Sequence, residues 1–178
     1  MNNTKLLNEI PAGETFKIGD LEFFKVTEVN GTATVVCKNI LYNSQFGKNN
    51  NFAKSLIFKK LTEELLPQIE VAVGAENVLE FETDLLALDG SAEHGTVKSK
   101  ISLPTLDFYR QNRAVFEKHK VNKWWWLATP YGTPEYNNDY WVMCVSPAGD
   151  FNFNIYFNYY GVRPILNFVS SISVSCEE

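Results

Sequence analysis

The first part of the chain carries short apolar runs that are separated by turn residues. Residues 14–41 hold two such turns, Gly19-Asp20 and Asn30-Gly31. Asn-Gly between β-prone runs is typical of a hairpin, because both residues tolerate a positive φ. The pattern therefore predicts an N-terminal β-hairpin region over residues 14–41.

From residue 52 the apolar period changes from that of a strand to that of a helix. Apolar side chains recur at helical spacing, with lysine and glutamate largely opposite them. They are Phe52, Leu56, Ile57, Leu61 and Leu65. Asn51 is a suitable N-cap, and Pro67 is expected to end the regular helix. We therefore predict a helix near residues 52–66.

A second helix is predicted near residues 105–119. Thr105 provides its N-cap and Asp107 lies in its first turn, where an acidic side chain complements the helix dipole. Leu106, Tyr109 and Phe116 are expected to form its buried face.

Residues 124–168 form an aromatic, β-rich C-terminal region. Within it, the segment Phe151–Tyr160 alternates strictly between two sets of side chains. Phe151, Phe153, Ile155, Phe157 and Tyr159 make up one set, which we expect to face the core. Asn152, Asn154, Tyr156, Asn158 and Tyr160 make up the other, which we expect to face water. The Ser-rich tail, residues 169–178, is expected to be loosely ordered.

These elements predict one α+β domain over residues 1–178, with a mostly antiparallel sheet and two main helices. The length of 178 residues, 45% of them apolar, suffices to bury a core without disulfides or metals. A net charge of −5 makes the chain a poor generic binder of nucleic acid.

The cellular location is predicted from what the sequence lacks. Three widely spaced cysteines, Cys37, Cys144 and Cys176, are typical of reduced thiols. The first residues hold no apolar run of signal-peptide length, and no stretch is long enough to span a membrane. We therefore expect a cytoplasmic protein, or one in a phage particle assembled there, with no membrane partner.

Short motifs near the C-terminus carry a resemblance. The chain has Trp125-Trp126-Leu127-Ala128-Thr129-Pro130, then an aromatic hairpin, then Gly161-Val162-Arg163-Pro164. This ending resembles a family of uncharacterised domains of Firmicutes, their prophages and phages, with W-W-L-R-S-P and G-V-R-P-A motifs. In this chain Ala128 stands where the family has Arg, and Thr129 stands where it has Ser. At the start of the first helix, Phe52 stands where the family has Trp. Any contact made by the family's Arg is therefore absent here.

The same ending is similar to the C-type-lectin-like core of the formylglycine-generating-enzyme superfamily. The resemblance implies such a core, in a group that includes both enzymes and ligand binders, so it does not by itself fix a function.

The even-numbered face of the segment Phe151–Tyr160 is the strongest candidate for a binding surface. Its members are Asn152, Asn154, Tyr156, Asn158 and Tyr160, and Trp141 and Tyr136 could extend it. Asn and Tyr offer hydrogen bonds and rigid contact area without net charge, as in antibody paratopes. The alternative is a solvated face, or an edge that is protected from aggregation.

Two further features allow both a functional and a structural interpretation. The run Trp124–Trp126 could stack on sugars or bases, although packing in the core is the more common role. Arg163 could hold an anionic ligand, or could bridge carbonyls inside the fold.

Enzymatic hypotheses find little support in the sequence. Neither His94 nor His119 belongs to a recognisable nucleophile–base pattern, and no phosphate loop or metal-ligand spacing is present. We therefore expect a non-catalytic binding module for a protein or a glycan, without cofactor or metal. The alternatives are a small acidic inhibitor of a host enzyme and, third, a hydrolase or oxidase.

Overall fold

The computed structural model describes residues 3–176 and shows a mixed α+β fold with mostly antiparallel sheets. The strands are β1 (Asn3–Leu6), β2 (Thr15–Ile18), β3 (Leu21–Val29), β4 (Thr32–Cys37), β5 (Asn43–Ser44), β6 (Val78–Leu79), β7 (Phe81–Asp84), β8 (Thr96–Ser99), β9 (Ile101–Ser102), β10 (Trp125–Pro130), β11 (Trp141–Val145), β12 (Phe151–Ile155), β13 (Tyr160–Gly161), β14 (Ile165–Val169) and β15 (Ser173–Cys176). The helices are α1 (Leu56–Lys60), α2 (Leu66–Val73), α3 (Leu106–Gln111) and α4 (Arg113–Glu117). Short 3₁₀ turns cover Leu7–Glu9, Phe52–Lys54, Ala75–Asn77 and Pro134–Tyr136.

Two sheets and one separate hairpin hold these strands. The larger sheet has the order β1-β15-β2-β3-β4-β14-β6, with β9 also paired to β14, and it curls into a half-barrel. The smaller sheet has the order β12-β11-β10-β13-β5, and β7 pairs with β8. Strand β12 is therefore the terminal strand of the smaller sheet.

The predicted N-terminal hairpins are confirmed. Strands β2, β3 and β4 pair in antiparallel fashion along the larger sheet. Asn30 and Gly31 both have a positive φ, 50° and 78°, between β3 and β4. This is the conformation that a tight two-residue turn requires.

The one main helix is longer than the pattern predicted and has an unusual centre. A π-helical turn over Leu61–Leu65 joins α1 to α2, and the N–H of Leu66 donates to the carbonyl of Leu61. Pro67 was expected to end the helix, but α2 continues to Val73. A proline ring clashes with the carbonyl four residues earlier in a regular α-helix, and the wider π turn relieves this constraint.

The prediction of two main helices is wrong, because the second helical segment consists of two short pieces. The break lies at Asn112, whose side-chain amide donates to the carbonyl of Phe108. Such a local bond competes with the helical backbone. The structure confirms the predicted buried face of this second helical segment, which consists of Leu106, Tyr109 and Phe116. It also confirms the N-cap at Thr105.

The prediction of a loose tail is also wrong for the described part of it. Strand β15 pairs with β1 and β2 inside the larger sheet, and Ile172 and Val174 are buried. Their alternate spacing is what a half-buried strand needs. The remaining residues of the predicted tail, 177 and 178, lie outside the described residues.

Strand β10 separates two hydrophobic clusters. Trp126 belongs to the larger cluster and Trp125 to the smaller one, and both are almost fully buried. Ala128, where the resembling family has Arg, packs in the larger cluster. The Trp run is therefore mainly a packing element with core on both faces.

Arg163 lies where the two clusters and the helical pieces meet. Its guanidinium donates to three backbone carbonyls, those of Cys37 (3.2 Å), Lys38 (2.9 Å) and His119 (3.1 Å). It also lies 4.9 Å from the ring centre of Trp125. Among the described residues no carboxylate pairs with it, and burial lowers the pKa of Arg163 to about 10.

We expect Arg163→Met to lower the free energy of unfolding by about 3 kcal/mol, because it leaves buried carbonyls without donors. Urea denaturation measures this change. Arg163→Lys keeps the charge but loses the planar fork of donors. Its free energy of unfolding should lie between those of the parent protein and Arg163→Met. Arg110→Met is the matched control, since the ion pair of Arg110 with Asp107 is exposed and its loss should cost less than about 1 kcal/mol. An unchanged midpoint for Arg163→Met would contradict this role.

Candidate binding surface

The free edge of the smaller sheet carries a group of exposed aromatic side chains. Trp141, Phe151 and Phe153 are 36%, 48% and 41% exposed. The ring of Phe153 lies 4.6 Å from that of half-buried Tyr131 and 5.6 Å from that of Trp141, measured between ring centres. These four residues are called the aromatic surface below.

The strand register explains why these side chains share one face. Met143 pairs with Phe153 and Val145 with Phe151 across β11 and β12, so each pair lies on the same side of the sheet. Met143 and Val145 are buried in the smaller cluster. That cluster ends at β11, and the aromatic side chains on the edge strand remain exposed.

The predicted assignment of faces on Phe151–Tyr160 is therefore wrong. The strand ends at Ile155 instead of Tyr160, because the chain turns there and the N–H of Asn158 donates to the carbonyl of Ile155. Phe151, Phe153, Phe157 and Tyr159 are exposed instead of facing the core. Alternation alone could not show this, since an edge strand has apolar side chains on a face that no other layer covers.

Three members of the predicted Asn/Tyr face bind each other. The amide of Asn154 donates to the hydroxyl of Tyr160, and the amide of Asn158 donates to the carbonyl oxygen of Asn154. The ring of Tyr160 in turn stacks on Trp124 at 5.6 Å and lies tilted against Trp126 at 4.7 Å, measured between ring centres. These side chains are partly buried and connect the turn to the core.

The other predicted site residues are dispersed. Asn152 is exposed on β12, whereas Tyr156 is half-buried and packs against the larger cluster. Tyr136 is 61% exposed on the loop before β11. Arg163 is inside the fold, away from any exposed surface. Of the predicted site residues, only Trp141 belongs to the aromatic surface.

The side chains of Asn152 and Asn154 occupy backbone donors of their own strand. Each accepts the N–H of the following residue, Phe153 or Ile155, at 2.8 Å. Edge strands with free donors are templates for unwanted pairing. This bonding gives a physical reason for asparagine at both positions, and it agrees with the alternative of a protected edge.

Comparison with known proteins gives a family but no activity. Residues 30–170 match the family described as Domain of unknown function (DUF6273). The chain belongs to this family. No curated protein and no solved structure matches.

In this DUF6273 chain a buried polar cluster anchors the loop that carries Tyr131 and leads to Trp141. Asn50 is fully buried. Its amide donates to the carbonyls of Gly132 (2.8 Å), Asn138 (3.2 Å) and Trp141 (3.0 Å). Since all three partners are acceptors, the orientation of the Asn50 amide is fixed.

His94 completes this cluster as a neutral ring. Its Nε2 lies 2.9 Å from Oδ1 of Asn50, which can only accept, so Nε2 carries the proton. Its Nδ1 then accepts from the amide of Asn51 at 3.3 Å. Protonation of Nδ1 would place its hydrogen against the N–H donor of Asn51, so the hydrogen bond between them would be lost. Burial lowers the pKa of His94, against a smaller opposing effect of Glu93 and of Asp139 and with a smaller contribution from Lys54.

The chemistry of the other reactive groups favours structural roles. Burial raises the pKa of the Cys37 thiol to about 11 and that of Cys144 to about 12, and thiols become nucleophiles only when ionised. The Nε2 of His119 contacts the carbonyl of Gly13 at 2.7 Å. Within residues 3–176 no group of three or more His, Cys, Asp or Glu side chains could hold a metal. None of the helices described could cross a membrane.

We expect the stability of the protein to fall as the pH drops below about 6.5. A histidine with a lowered pKa in the folded state takes up its proton more readily when unfolded. Its stabilising contribution is therefore complete above the unfolded pKa and is lost toward acidic pH. Urea denaturation at pH 7 and pH 5 measures the change.

His94→Gln should reduce this pH dependence, because glutamine does not titrate. Burial also lowers the pKa of His119, so His119→Gln removes a second contribution of the same sign and serves as the comparison. A pH dependence in His94→Gln equal to that of the parent protein would contradict the role given to His94.

Proposed function

We propose that this protein is a non-catalytic binding module that contacts its partner through the aromatic surface. The observation that carries the proposal is the exposure of Trp141, Phe151 and Phe153 next to one another at a sheet edge. Contiguous exposed apolar side chains rimmed by polar residues mark interaction sites in monomeric proteins. Aromatic side chains are also enriched among the residues that dominate binding energy.

The partner that fits this surface best is a protein. Two of its four side chains are phenylalanines, which offer apolar area without a hydrogen-bonding group. Burial of such side chains against an apolar partner gives the largest gain in free energy per residue. A glycan partner would use Tyr131 and Trp141 as stacking platforms and is the alternative outcome of the experiment.

A C-type-lectin-like core and an origin in a phage or prophage belong to the same proposal. The resemblance of the Trp125–Pro130 and Gly161–Pro164 motifs supports them. Such a core agrees with a binding role, since lectin-like cores present loops and edges to their ligands.

A second candidate is an acidic inhibitor of a host enzyme, which the net charge of −5 favours. There, charge would dominate recognition and affinity would fall steeply with salt. Binding through the aromatic surface should depend little on salt. An enzymatic role is the least supported, because the Cys37 and Cys144 thiols are buried with raised pKa values.

The test begins with selection of binders to the full chain from a random peptide library, with a glycan array in parallel. We expect selected peptides to lose about 2 kcal/mol of binding free energy, roughly 30-fold in affinity, in Trp141→Ser and Phe153→Ser. In both variants the free energy of unfolding, measured by urea denaturation, should change by less than about 1 kcal/mol.

Tyr159→Ser is the matched control, because Tyr159 is 68% exposed but lies outside the aromatic surface. It should leave affinity unchanged. Binding that survives both Trp141→Ser and Phe153→Ser, or that disappears at high salt in the parent protein, would contradict the proposal. If the glycan array gives binders and the peptide library gives none, the partner is a glycan instead of a protein.

A further inference from the structure

A groove runs along strand β7, and two adjoining clefts of about 340 Å³ and 280 Å³ form it. Asp84 and Thr105 line both clefts, so the two are continuous. None of the four residues of the aromatic surface lines either cleft, so this is a separate site. The groove, called the β7 groove below, has an apolar lining of Leu86, Leu88, Leu103, Leu106, Phe108 and Ile165.

Strand β7 meets this groove with its edge. All four of its residues, Phe81–Asp84, line the larger cleft. Successive side chains of a strand point to opposite faces, so a cleft that is lined by four consecutive residues lies beside the edge of the strand rather than over one face. No residue of β8 lines either cleft. The edge in question is therefore the one turned away from β8.

The backbone groups on that edge have no strand partner. Among the strands described, β7 pairs with β8 alone. The N–H of Leu85 donates to the carbonyl of Gly95 at 3.0 Å, and hydrogen-bonded pairs alternate along an antiparallel ladder. The N–H and carbonyl groups of Glu82 and Asp84 therefore point away from β8. An unpaired edge of this kind is a template for a further strand.

Two negative charges accompany this edge. The side chains of Glu82 and Asp84 are exposed, and neither forms a salt bridge within residues 3–176, although Lys98 lies opposite Glu82 on β8. Asp107, also in the groove, is paired with Arg110 at 2.6 Å. A second copy of this edge would bring like charges together, which destabilises strand pairing. A basic strand would be attracted.

We propose that the β7 groove binds an extended segment of a partner protein, in which apolar and basic residues alternate, as a further strand beside β7. Thr83 is buried and Phe81 half-buried, whereas Glu82 and Asp84 face water. An added strand shares this pleat. Its side chains next to Phe81 and Thr83 point into the apolar groove, and those next to Glu82 and Asp84 lie beside the carboxylates. In such complexes main-chain hydrogen bonds give affinity and pockets for alternate side chains give specificity.

The experiment titrates the full chain with a peptide of alternating valine and lysine whose ends are acetylated and amidated. Amide chemical shifts and hydrogen exchange are measured. We expect saturable binding, the largest shifts in residues 81–88, and slower amide exchange at Glu82 and Asp84. A peptide of alternating valine and glutamate should bind roughly ten-fold more weakly, because its charges repel those of the edge.

Two further peptides separate strand addition from simple charge attraction. One carries N-methyl groups on its lysines and the other on its valines, so both keep the charge of the parent peptide. The N–H groups of a strand point alternately to its two edges. Only one of the two peptides therefore loses donors to β7, and it should bind roughly ten-fold more weakly than the other.

Glu82→Pro tests the protein side of the same hydrogen bonds. It removes an N–H that points away from β8, a position at which an edge strand tolerates proline. It should weaken binding roughly five-fold more than Glu82→Ala, which removes the charge alone. Lys98→Pro is the matched control, since it makes the same change on the other edge of the hairpin, and it should not weaken binding. Trp141→Ser should also leave this affinity unchanged.

Absence of binding at millimolar valine–lysine peptide would overturn the proposal. Equal affinity of the two methylated peptides would also overturn it, because the peptide would then be held by its charge and not as a strand. Chemical-shift changes that lie outside residues 81–88 and 103–108 would place the peptide elsewhere and contradict the site.

Discussion

The fold depends on how the buried charge of Arg163 is accommodated. A guanidinium group without a carboxylate partner is costly to bury. Here three backbone carbonyls and the face of Trp125 take the place of a counter-ion. Two carbonyls lie at the end of β4 in the larger sheet and one follows α4, while Trp125 belongs to the smaller sheet. One side chain therefore fixes the relative positions of both sheets and the short helices.

The neighbouring motif residues bring the chain close enough for this contact. Gly161 pairs with Trp125 in a parallel arrangement, and a Cβ at this position would lie 2.0 Å from the Cδ1 of Ile40. The glycine therefore leaves room for the Ile40 side chain, and it is not needed for a positive φ. Gly-Val-Arg-Pro is a structural motif in this chain, and its position in the core explains why it gives no direct information about a ligand.

With the interior fixed in this way, exposed groups that are available to a partner lie at the edge of the smaller sheet. At β12 the backbone donors are occupied by asparagine side chains, whereas the aromatic rings remain available. An edge of this kind resists nonspecific strand pairing and still offers apolar contact area. The polar cluster of Asn50 and His94 holds the adjoining loop, so the aromatic surface is supported by fixed hydrogen bonds rather than by mobile segments.

Local signals in the sequence predicted local structure well. Asn30-Gly31, the caps at Asn51 and Thr105 and the buried face of α3 and α4 each depend on neighbouring residues. The errors arose where distant contacts decide the outcome. Alternation on β12 does not say which face another layer covers, and the order of strands that leaves β12 at the edge is a property of the whole sheet.

The cap and turn rules also could not predict how the main helix passes Pro67. Leu61 and Leu65 of the π turn before it pack against the larger cluster, and no local rule contains such long-range contacts. The polar cluster was missed for the same reason: Asn50 and His94 are 44 residues apart and meet only in the folded chain. The sequence held one hint, a run of asparagines next to the helix start.

Hydroxyl-radical footprinting of the native protein, with peptide mass spectrometry, tests most directly which side chains of β12 are exposed to solvent. The structure predicts rapid oxidation of Trp141, Phe151 and Phe153 and strong protection of Trp125 and Trp126, since oxidation follows solvent exposure. Protection of Phe151 and Phe153 to the level of Trp125 would contradict the account. The aromatic surface would then be part of a core, and the candidate binding face would have to lie elsewhere.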